Sequence, residues 1–101
     1  MTIKFAAIGL NHNHIYGQVD LMLRAGAEFV AFHSREGDRA ATLGAKYPQA
    51  KRVATAAEIL EDRTIAMVLT AAIPADRAAI AIAAMQHGKD VMTDKPGMTS
   101  F

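Results

Sequence analysis

Short apolar runs of strand length alternate along this chain with stretches whose apolar positions recur at helical spacing. The pattern predicts five strands: residues 3–8, the Val- and Phe-rich 28–33, a short strand around Val53, residues 65–71, and residues 90–93. Helices are expected in between. One runs from about Ile15 to Arg24, with Val19, Leu21, Met22 and Leu23 among its apolar positions, and stops at Gly26, a natural C-cap. The next spans about Asp38 to Lys46, ahead of Pro48. Thr55 and Glu58 have the spacing of a capping box before Ile59 and Leu60. Pro74 sits where a first-turn proline belongs, and Gly88 closes the last long helix after His87.

Strands alternating with helices build βαβ units on a parallel sheet. The right-handed crossover then makes a doubly wound α/β sheet of Rossmann type, strand order 3-2-1-4-5, the expected fold. In such a sheet ligands sit at the carboxyl ends of the strands, where the winding reverses between the first and fourth. Those ends are the loop from Gly9 through Leu10, Asn11 and His12 to His14, then His33 to Arg35, the stretch Ala71, Ala72, Ile73 and Pro74, and finally Asp94, Lys95 and Pro96. The first is where a dinucleotide pyrophosphate would rest on unpaired N–H groups at a helix N-terminus. Gly9 fits the first position of the G-x-G-x-x-G fingerprint, whereas Asn11 and His14 occupy the second and third. Asn tolerates positive φ and suits the turn; His14 is bulkier and, with Tyr16, is expected to seat the helix. The same residues also suit an ordinary strand-to-helix turn with no ligand.

The segment after the second strand is expected to read the ribose. A carboxylate there binds the 2′-hydroxyl of NAD. Here Ser34 and Arg35 stand in that place, with Arg39 one helical turn on, and a hydroxyl beside a guanidinium suits a 2′-phosphate. NADP is therefore favoured over NAD, with Glu36 as the ribose ligand under the opposite preference and a plain solvated turn as the third reading.

Composition narrows the classes. Among 101 residues, 51% are hydrophobic and 21% charged, with a formal net charge of +1. That describes a globular domain with no basic cluster for nucleic acid or an anionic membrane surface. With no Cys, disulfides, thiolate metal sites and thiol catalysis are excluded, and a cytoplasmic location fits. The apolar runs are too short to span a bilayer, and the N-terminal one is too short for a secretory signal. His12 and His14 do not make a zinc site, since no Cys or nearby carboxylate supplies a third ligand. The scattered Met residues read as core filler.

At the far end the chain reads VMTDKP. Together with IGLNHNHIYG, the TAAIP after the fourth strand and the HGKDV entering the fifth, it resembles the Gfo/Idh/MocA family of glucose-fructose oxidoreductase, inositol dehydrogenase and rhizopine-catabolism proteins. The resemblance covers essentially the whole chain. Its most specific element is the family's Glu-Lys-Pro, seen here as Asp94, Lys95 and Pro96. It implies a nucleotide-binding domain over residues 1–101, followed in family members by a larger substrate domain. It also implies hydride transfer between a nicotinamide and a CH–OH group of a sugar, polyol or related small molecule, and a homo-oligomer at full length. By the same resemblance Lys95 lies beside nicotinamide and substrate, orienting the alcohol and assisting its deprotonation, while a further Asp and His come from the substrate domain. The loop departs from the family at Asn11 and His14, and Arg77 stands where His is common. The chain ends where a sixth strand is expected, so this polypeptide alone is expected to bind cofactor without turnover.

Two other classes use similar residues. A non-catalytic dinucleotide sensor would employ the same loops and leave Lys95 idle. A phosphoacceptor signalling domain also ends its fifth strand in Lys-Pro, but needs carboxylates after the first strand to hold Mg²⁺, and residues 10–14 contain none.

Overall fold

The computed structural model of the chain describes residues 3–9, 14–35, 37–71 and 74–93. Five parallel strands, β1 (Lys4–Ile8), β2 (Glu28–His33), β3 (Lys51–Arg52), β4 (Ile65–Thr70) and β5 (Asp90–Thr93), alternate with four helices, α1 (His14–Arg24), α2 (Gly37–Lys46), α3 (Ala56–Leu60) and α4 (Pro74–Gln86). The sheet order is β3-β2-β1-β4-β5, the doubly wound arrangement expected from the alternation.

β1 is the middle strand because nearly every position on it can be buried. Phe5 and Ala7 join one apolar layer with Ile15 and Val19 of α1, Phe29 of β2, Leu43 of α2 and Tyr47. Ala6 and Ile8 join the opposite layer with Ile59 of α3, Val68 of β4 and Ala84 of α4. A strand covered on both faces reads as a continuous apolar run, as KFAAI does. The first layer is aromatic: the Phe5 and Phe29 rings stack with centroids 5.1 Å apart, and Tyr47 meets Phe29 edge-on at 5.5 Å.

Helix ends follow local chemistry. Gly26 and Gly88 adopt positive φ, 92° and 75°, directly after α1 and α4. Each allows the Schellman pattern, with Ala27 N–H bonding to Met22 O and Lys89 N–H to Ala84 O, both at 3.0 Å. Ahead of α3, the Glu58 carboxylate accepts the backbone N–H groups of Ala54 and Thr55 at 3.0 Å each, the Glu half of the expected capping box.

The third strand lies just ahead of the expected Val53. Ala31 and Phe32 of β2 pair with Lys51 and Arg52, and the Val53 N–H closes the ladder on Phe32 O at 2.9 Å. This edge strand is two exposed cations, a usual way to discourage edge-to-edge pairing. Other boundaries differ from expectation by a residue, within the fraying of element ends.

Candidate functional site

The carboxyl ends of the three middle strands are tied together through Gly9. Its N–H donates to His33 O at the end of β2 (3.0 Å), and its carbonyl accepts the Ala71 N–H just beyond β4 (3.1 Å). Gly9 needs φ 83° to do this, a left-handed conformation that glycine adopts without penalty. One residue therefore ends β1, turns the chain, and aligns the exits of β2 and β4 on either side.

Five residues after Gly9 the backbone of His14 opens α1, whose first turn holds no acidic residue. By contrast α2, α3 and α4 carry Asp38, Glu58 and Asp76 in theirs. The partial positive charge at the head of α1 is thus left unopposed by its own side chains, the condition an anion needs. Leu10, Asn11 and His12 lie outside the described residues.

Beyond β2, Ser34 is half-buried and Arg35 exposed, and Arg39 is half-buried one turn into α2. At the end of β2 the His33 Nδ1–H donates to Val53 O at 3.2 Å. The Arg35 guanidinium reaches across to α4, where Nη2 donates to Asp76 Oδ2 at 3.3 Å. Since β2 and β4 flank β1, this ion pair links the segments that follow the two strands on either side of it. On the β4 side Thr70 and Ala71 are fully buried, and Pro74 opens α4. Ala72, Ile73, Asp94, Lys95 and Pro96 fall outside the described residues.

Of the sequence-selected residues, the fold gathers Gly9, the start of α1 at His14, Ser34, Arg35, Ala71 and Pro74 at one edge of the sheet, with Arg39 on the helix that follows Arg35. Asp76 was not among them. An acid in the first turn of a helix satisfies the helix dipole, and only the third dimension places it against Arg35. No group of three or more His, Cys, Asp or Glu among the described residues is arranged to hold a metal ion. None of the helices described is long and apolar enough to cross a membrane.

The described edge thus brings together a glycine turn, an acid-free helix start and an exposed guanidinium. The sequence profile of an oxidoreductase family with an NAD-binding Rossmann fold, Gfo/Idh/MocA, matches residues 3–101. The chain belongs to the Gfo/Idh/MocA family. Among solved structures of similar fold is a protein from Erwinia carotovora atroseptica described as an oxidoreductase, 38% identical, with TM-score 0.90; the match covers 95% of this chain and 29% of that one. Another is the myo-inositol dehydrogenase of Lactobacillus casei in complex with NAD(H) and myo-inositol, 23% identical, TM-score 0.81, covering 95% of this chain and 29% of that one. A third, from Desulfitobacterium hafniense and described as an NADPH-dependent oxidoreductase, is 24% identical with TM-score 0.81, covering 94% and 27%. This Gfo/Idh/MocA chain therefore spans under a third of the length of each. Among curated proteins no relative matches.

Proposed function

We propose that this chain is the cofactor-binding domain, residues 1–101, of a Gfo/Idh/MocA oxidoreductase that prefers NADP and acts on a CH–OH group of a sugar, polyol or related small molecule. The observation that carries this reading is the Gly9 turn, bonded to His33 on one side and Ala71 on the other and set before a helix with no acid in its first turn. A pyrophosphate would be held by the backbone between Gly9 and His14, and the adenosine end by Ser34 and Arg35, with Arg39 behind them. Ala71 to Pro74 would form the opposite wall.

The guanidinium of Arg35 is the reason to favour NADP. It supplies several N–H donors in a fixed plane to a 2′-phosphate, and it is solvent-exposed, so recruiting it costs little desolvation. When bound, the nicotinamide accepts or delivers the hydride. The role of this chain is to fix the dinucleotide and bring Lys95 to the substrate, where its ammonium orients the hydroxyl and takes part in moving its proton. That assignment of Lys95 rests on the resemblance of the VMTDKP segment to the family's Glu-Lys-Pro. Because matched structures are more than three times as long, this chain by itself is expected to bind without turnover.

The test is a thermal-shift titration with NADP⁺ and NAD⁺ in parallel, followed by an assay for reduced nicotinamide with polyols. A ligand at about 100 times its Kd stabilises a fold by about 2.7 kcal/mol. NADP⁺ should produce such a shift, Arg35→Ala should remove most of it, and no polyol should be oxidised. A stronger shift with NAD⁺ would move the ribose contact to Glu36. No shift with either, in a chain shown to be folded, would overturn the assignment.

A further inference from the structure

The Arg35–Asp76 ion pair bears on cofactor choice. Arg35 is the chief residue proposed to reward a 2′-phosphate, and its guanidinium is engaged by Asp76 at 3.3 Å. The contact joins segments that are 41 residues apart and leave different strands. Asp76 lies in the first turn of α4, where the helix dipole favours negative charge.

We propose that Asp76 is a specificity-determining residue: its carboxylate competes with the 2′-phosphate of NADP for the Arg35 guanidinium and so narrows the discrimination between NADP and NAD. The inference rests on the dinucleotide reading above and adds to it a residue outside the pattern that suggested that reading. Binding NADP must break or share the Arg35–Asp76 contact and bring a phosphate near a carboxylate. Binding NAD incurs neither penalty, because a 2′-hydroxyl makes no demand on the guanidinium. The Arg35 side chain is 81% exposed and that of Asp76 39% exposed, so competition is modest and screened by salt. A pair of this kind corresponds to roughly a two- to fivefold change in relative affinity.

The experiment measures Kd for NADP⁺ and NAD⁺ by isothermal titration calorimetry, at low and at high ionic strength, for the unmodified chain, Asp76→Asn, Arg35→Ala and the double variant. Asp76→Asn is expected to raise the preference for NADP⁺ by roughly two- to fivefold at low ionic strength, through tighter NADP⁺ binding with NAD⁺ affinity unchanged. The effect should shrink at high ionic strength and vanish in the Arg35→Ala background. Taking the ratio within each variant cancels any loss of helix stability, which would weaken both cofactors alike. An unchanged preference overturns the competition. So does a fall in NADP⁺ preference, which would show instead that Asp76 holds Arg35 in position for the phosphate. If neither cofactor binds the unmodified chain, the dinucleotide reading fails and the inference with it; if both bind and only the ratio refuses to move, the reading stands and the inference alone is lost.

Discussion

Tyr47 and Lys89 show how single buried polar groups are satisfied here, and they respond to alkali in opposite directions. The Tyr47 hydroxyl donates to Asp20 Oδ1 at 2.6 Å, with its ring inside the aromatic layer. Burial, then the hydrogen bond to Asp20, then the charges of Asp20 and Tyr16, push its pKa well above the ordinary tyrosine value. A group whose folded pKa is raised contributes stability that is fully present below its unfolded pKa and is lost as pH climbs above it. For Tyr47 that window opens at about pH 10. Lys89, buried with its ammonium donating to Asp62 O at 2.6 Å and Ile65 O at 2.7 Å, has its pKa lowered by burial, partly offset by Asp62. It therefore contributes rising stability as pH approaches about 10.5. Tyr47→Phe separates the two. Near neutral pH the variant should be less stable by about 1.5–3 kcal/mol, the worth of a hydrogen bond to a carboxylate. Above about pH 10 the unmodified chain should lose ground to the variant, by at most about 1.4 kcal/mol per pH unit, in urea titrations across that range. A gap that stays constant with pH would rule out Tyr47 as the alkaline group. Neither contact was visible in the sequence: Asp20 and Tyr47 are 27 residues apart, and nothing local marks them as partners.

Element ends, by contrast, were legible, because caps are local chemistry. Gly26, Gly88, Pro74 and the Thr55–Glu58 pair all mark the boundaries they were expected to mark. What the pattern placed less closely at this scale was β3: a short strand was expected around Val53, whereas the paired residues are Lys51 and Arg52, which carry no apolar signal and are defined by their pairing with Ala31 and Phe32. Two glycines allow the backbone argument to be tested with opposite signs. Gly88 has φ 75° and Gly17 lies exposed within α1, and a Cβ at either would meet no atom within 4 Å. Packing is thus held constant while conformation differs. Gly88→Ala should cost about 1–2 kcal/mol, because an L-residue is forced into the left-handed region. Gly17→Ala should stabilise by roughly 0.5–1 kcal/mol, through helix propensity and a less flexible unfolded chain. For a domain of this size these become melting shifts of several degrees, downward and upward respectively. Shifts of the same sign would mean that Gly88 is not held in the left-handed conformation.

At the scale of the molecule, β1 belongs to both apolar layers, so neither can open without the other. Phe5 and Ala7 face α1 and α2 while Ala6 and Ile8 face α3 and α4, and a domain joined in this way is expected to unfold as one unit. That same strand runs out into Gly9, and the alternation of runs in the sequence was enough to place the reversal of winding there, because in a doubly wound sheet the topology itself dictates that point. The Arg35–Asp76 bridge was not legible because it joins the segment that follows β2 to the first turn of α4, 41 positions away in the chain. The coupling of site to core yields a prediction for hydrogen exchange. Amides of β1 and β4 that exchange only by global unfolding, Ala6 and Val68 among those to be followed, line the layer under α3 and α4. A ligand at about 100 times its Kd that binds only the folded state should nevertheless slow their exchange about 100-fold, because it lowers the unfolded population by that factor. NADP⁺ should do this at a concentration set by its measured Kd, and Arg35→Ala should require proportionately more. Slowing confined to amides near Gly9 and Ala71, with Ala6 and Val68 unaffected, would mean that the sheet edge at Gly9 opens by local fluctuation and that binding is uncoupled from the fold as a whole.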